Sequence, residues 1–207
     1  MKPKRIAAAI VAIAISTAAD AATIDMNDPL RAKAREDDVR IDAQLLSDTV
    51  SPGSPIGVNW QIQNFTSGPV AVDTKHVSAS YDADSHTITL AIGSEVPADG
   101  NMPAMLVVAP GETKVFRAAA NAAIPPSTAR GGLNNAPLFV QVKVSILRDI
   151  QAFLPLIESH SARPQRLSDE LFEQWFESTD TIFLNTLPVM WSARPKGIDA
   201  EQRTSMR

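Results

Sequence analysis

Three histidines, His76, His86 and His160, are the residues best suited to metal binding or to proton transfer near neutral pH. None of them forms a His-x-x-x-His pair. With no cysteine in the chain, the usual ligand spacings of structural zinc are also absent. Asp82-x-Asp84-x-His86 comes nearest to a metal set, because alternate residues of a turn can point at one ion. It lacks the glycine and terminal glutamate of a calcium loop, so the plainer expectation is a solvated turn whose aspartates bond their own backbone. Nucleophilic catalysis needs a serine or threonine beside a base that a third group orients. No Gly-x-Ser-x-Gly elbow, Ser-x-x-Lys pair or glycine-rich phosphate loop occurs. The adjacent carboxylates Asp37-Asp38 and Asp169-Glu170 fit a solvated leader and a helix start better than a catalytic dyad. The expectation is a protein that is not an enzyme, with no catalytic residue, no metal and no cofactor.

Contact chemistry has a better candidate. Residues 119–137 hold Pro125-Pro126, Gly131-Gly132 and Asn134-Asn135, with Arg130 as the one charged side chain. So long an interior stretch without periodicity reads as a loop, and such loops are often functional. Pro125, Pro126, Arg130 and Asn134 are the expected partner-contact residues. An arginine among small residues is also what trypsin-like proteases accept, which makes a protease inhibitor the first alternative and an ordinary surface loop the plain one. Asn64-Phe65-Thr66 satisfies the glycosylation sequon.

These residues must be positioned by strands. Ile56, Val58, Trp60 and Ile62 alternate with Gly57, Asn59, Gln61 and Gln63 between two turn-forming stretches, the two-residue period of a half-buried strand. Trp60 is expected between two sheets. Val39 to Leu45 and Leu138 to Leu147 show the same period, and Val77–Tyr81 with Thr87–Ile92 reads as a hairpin. Val70 and Val72, Met105–Val108, Thr113–Ala118 and Thr181–Leu187 supply shorter strands. A single helix is expected over 168–178, capped by Ser168 and stapled by Leu167 and Phe172. Its apolar face, Leu171, Phe172, Trp175 and Phe176, is expected to lie on a sheet. Residues 148–166 remain open between helix, strand and loop.

Lys2, Lys4 and Arg5, the apolar run Ile6 to Ile15 and Ala19-Asp20-Ala21 predict a signal peptide over residues 1–21. A mobile or short helical leader over 22–38 follows, with Asp28 capping and Pro29 in the first turn. The β-sandwich is expected over 39–192, with a loose tail over 193–207. The chain has 19 basic and 23 acidic residues, and loss of the signal removes three and one of these, moving the charge from −4 to −6. That balance argues against nucleic acid or an anionic membrane as the main partner. No disulfide can brace the fold.

The pattern Gly-x-x-Ile-x-Val-x-Trp-x-Ile-x-Asn resembles an early strand of immunoglobulin-like modules, over about a dozen residues. The expected fold is mainly β, an antiparallel immunoglobulin-like β-sandwich with one short helix in the C-terminal half. The expected role is that of a periplasmic or secreted non-catalytic protein. It would bind another protein through loops or a sheet edge, with no membrane span in the mature chain. The first alternative is the inhibitor using the Arg130 loop, and the second an enzyme with a dispersed site.

Overall fold

The computed structural model describes residues 24–124, 136–159 and 165–192. The alternation around Trp60 becomes strand β4 (Ile56–Asn64), in which every second residue is buried. It pairs antiparallel with β2 (Val39–Leu45) and β9 (Thr113–Ala120), and β1 (Arg31–Glu36) extends the sheet beyond β2. Register sets Trp60 between Ala43 and Phe116, whose ring lies 4.7 Å from the indole.

The second sheet is organised around β10 (Phe139–Leu147). One side of β10 carries β7 (Thr87–Ile92) and then β5 (Val70–Asp73), and the other carries β11 (Thr179–Phe183) and β12 (Leu187–Pro188). Beyond these, β6 (Val77–Asp82) pairs with β7 and β8 (Met105–Val108) with β5. Pro69 precedes β5 and so costs it no ladder bond. A small ribbon joins β3 (Thr49–Val50) to β13 (Met190–Trp191).

The inward residues of both sheets, among them Ile41, Trp60, Ile62, Leu90, Val142 and Val144, form one buried cluster. Two sheets therefore pack face to face around a core without covalent bracing. At about 25 cal/mol per Å² and 150–250 Å² for a large aromatic, burying Trp60 contributes about 4–6 kcal/mol as an upper bound.

A helical layer covers part of the second sheet's outer face. Ala71 and Leu147, with Met105 and Val107 beside them, meet Ile150, Phe153, Leu167 and Trp175 in a second cluster. The open stretch 148–166 supplies half of this layer, as a 3-10 turn (Gln151–Phe153) running into α1 (Leu154–Glu158). Pro155 stands in the first turn of α1, where its missing N–H is harmless. Ser168 caps α2 (Asp169–Ser178) by accepting from the Leu171 N–H. Trp175 is buried edge-on against Phe153, centroids 5.7 Å apart, and its indole N–H donates to the Glu95 carbonyl at 3.0 Å. Leu171 and Phe172 are half-buried, while Phe176 is 49% exposed and rests on Phe172. The apolar face is thus narrower than expected.

Three expectations are corrected. The packed sheets are not wholly antiparallel, since β7 runs parallel to β10 and β3 to β13. Period-two patterning fixes faces but not directions, and the chain between β7 and β10 passes through both sheets instead of a hairpin. The leader is not helical over Arg31–Glu36, which forms β1, with Ala32 buried opposite Ala43. Asp28 accepts from the Leu30 N–H in a turn, and Asp37-Asp38, both at positive φ, close the β1–β2 hairpin. The turn Ala109–Glu112 joins strands of different sheets, β8 in the second and β9 in the first. Finally, β9 continues through Ala120, and Ala122 bridges to Ala79, so the irregular stretch begins later than 119.

Candidate functional site

The sequence candidates are not brought together. His86 closes the β6–β7 hairpin at φ 53°, with Nδ1 on the Ala136 carbonyl at 3.2 Å. Asp82 accepts from the Asp84 N–H at 3.0 Å and from the Ser85 hydroxyl at 2.6 Å, and the Ser85 bond first of all holds its carboxyl below the usual range. The aspartates of this turn thus serve the turn itself. Among the described residues no group of three or more His, Asp or Glu could hold a metal ion. Asn64 of the sequon is fully buried and donates to the Gly68 and Val108 carbonyls, at 2.9 and 3.0 Å. Pro125, Pro126, Arg130 and Asn134 lie outside the described residues, as do His160, the signal segment 1–21 and the tail 193–207.

A groove of about 900 Å³ opens where β8 meets α1. Its apolar surface includes Met102, Met105, Leu156 and Ile157, all half-buried, and its lining also includes Lys75, His76, Lys114 and Glu158. The segment that carries Met102 is pinned on both sides. Met102 N–H donates to the Gln165 carbonyl and Leu167 N–H to the Gly100 carbonyl, each at 2.8 Å. Lys114 Nζ crosses to the Val107 carbonyl at 2.8 Å.

One titratable pair stands at the groove rim. Asp73, the last residue of β5, is 1% exposed, and its Oδ2 lies 2.5 Å from His76 Nδ1 and 3.0 Å from the Ser94 hydroxyl. Its Oδ1 accepts from the backbone N–H of Lys75 and of His76, at 2.9 and 3.3 Å. A nitrogen facing a carboxylate carries the hydrogen, so Nδ1 is the donor, and Nε2 has no hydrogen-bond partner among the described residues. The carboxylate thus orients the ring as in an Asp–His pair of a hydrolase. Ser94 donates to the carboxylate, and among the described residues no hydroxyl hydrogen-bonds to Nε2. The arrangement can present an oriented hydrogen-bonding group to something in the groove.

Asp73-x-x-His76 was a readable local signal. The groove was not, because its walls come from distant stretches of the chain. Several exposed sheet margins are blunted as well: Lys33 N–H donates to the Asn185 side chain at 2.8 Å, Lys114 occupies a carbonyl of β8, and Ala122 bridges to β6. No protein-family model, curated protein or solved structure matches this chain.

Proposed function

We propose that this chain is an exported, immunoglobulin-like β-sandwich protein, periplasmic or secreted and without catalytic activity, that binds a segment of another protein in the groove between β8 and α1. The groove carries the reading, with its half-buried Met102, Met105, Leu156 and Ile157 beside blunted sheet margins. Methionine side chains are adaptable and suit an apolar peptide face laid into a groove. His76, oriented by Asp73, adds a polar contact at the rim. Export rests on the basic start, the apolar run and the small residues near Ala21. Among the described residues no helix is long and apolar enough to cross a membrane.

The test places a photocrosslinking residue at Leu156 in the source cells, with a second at Ser80, exposed on β6, as the comparison. A discrete adduct from position 156 alone, lost on Met105→Glu, is the expected result. No adduct at 156, or the same adducts from both positions, refutes the proposal.

A further inference from the structure

The outer face of the first sheet has a charge opposite to that of the chain. Register places Lys33 opposite Asp42 and Arg35 opposite Arg40, with Arg31 on the same face of β1 and Arg117 at the far corner on β9. Their neighbours along the strands, among them Ala32, Ile41, Ala43 and Ala118, are buried, so these side chains belong to the outward face. The outward positions between them on β4, Asn59, Gln61 and Gln63, are uncharged.

Asp42 lies under this layer with no exposed surface, bonded to Arg31, Arg40 and Gln61. Burial pushes its carboxyl up, but the bonds from Arg31, Gln61 and Arg40 together outweigh this and hold it below its ordinary value. Asp38 pairs with Arg35 at 2.8 Å. Asp28 is bonded to Gln44 on the same face, so setting three carboxylates, Asp28, Asp38 and Asp42, against the five cations leaves two positive charges, on a chain with 19 basic and 23 acidic residues. Lys33 and Arg117 are exposed and make no ion pair among the described residues, and Arg35 is 62% exposed. Net charge computed over the whole chain conceals this face.

The flatness and charge of the face select the partner. A stable protein interface buries about 800 Å² per partner around aromatic anchors, which this face lacks at its centre. A broad sheet of cations fits a surface that is itself broad, anionic and laterally mobile. Each cation near such a surface strengthens binding about fivefold. We propose that the outer face of the first sheet docks the protein on an anionic lipid bilayer, with lipid phosphates against Lys33, Arg35, Arg40 and Arg117.

The experiment is co-sedimentation of the full chain with mixed phosphatidylglycerol–phosphatidylcholine vesicles and with pure phosphatidylcholine vesicles. Lys33→Gln/Arg117→Gln is compared with Lys75→Gln at the groove rim, after circular dichroism has shown all three proteins folded. All share the same N-terminal segment, so the differences between them read the face alone. The expected result is salt-sensitive binding to the anionic vesicles only, weakened about 30-fold in the double variant and unchanged in Lys75→Gln. Equal binding of wild type and double variant, or equal losses in both variants, overturns the proposal. So does preferential binding of poly-glutamate or of an oligonucleotide at matched charge, which would make the occupant an acidic macromolecule.

Discussion

Replacing Asp42 by asparagine should destabilise the protein at neutral pH and leave it no worse off in acid. The carboxylate is wholly buried, and accepts from Arg31 Nε at 3.0 Å and from Gln61 at 3.0 Å, with Arg40 Nε 2.9 Å away. Removing one member of a buried ion pair costs about 3–5 kcal/mol. Here the arginine side chains keep 13% and 31% exposure, so both guanidinium groups can turn to water, and the expected loss falls to about 2 kcal/mol. The pH dependence follows from the direction of the shift. The folded carboxyl titrates below its ordinary value of 3.8, so the unfolded chain takes up the proton first as the pH drops. The stabilisation is full above that ordinary value and disappears as the pH falls through the folded one. Urea unfolding of both proteins at neutral pH and at about pH 2 measures the difference, which should close at the acid end. A gap that persists unchanged in acid, or a neutral-pH loss below about 0.5 kcal/mol, would refute the reasoning.

Three further substitutions test the helical layer and the backbone. Trp175→Ala removes a buried indole, its contact with Phe153 and its bond to Glu95, and should cost about 3–5 kcal/mol in chemical denaturation; a loss below about 1 kcal/mol would show that the layer contributes little. Gly93→Ala forces a residue with a side chain to φ 86° and sets a Cβ 2.8 Å from the Ser145 carbonyl oxygen, so a loss of about 1–3 kcal/mol is expected. Gly68→Ala meets nothing within 4 Å and should stay within about 0.5 kcal/mol in the same assay.

The long strands were legible because large apolar residues at every second position leave one choice of face, as in β4 and β10. The first strand was hidden because its inward residues are alanines, too small to mark a face, while Arg31, Lys33 and Arg35 read as a solvated charge run. Once β1 is a strand, the same three residues become a row of cations. The cap of α2 could be read locally, since Ser168 and its partner stand three residues apart. Alternation is silent about direction, so the parallel pairing of β7 and β10 left no trace in composition. The groove joins stretches around 102–105 and 156–158, and no local pattern records that meeting.

Strand β10 touches four other strands, drawn from residues 71 to 188, and this bears on how the protein is made. Until residue 139 has emerged from the ribosome, β7 and β5 have no common neighbour, and Ile88, Leu90 and Ile92 lack the strand that sets Val140, Val142 and Val144 beside them. The nascent chain must therefore wait, greasy and incomplete, for a segment that arrives late. Any holding factor that accompanies it would be needed over that interval and could let go once β10 is inserted.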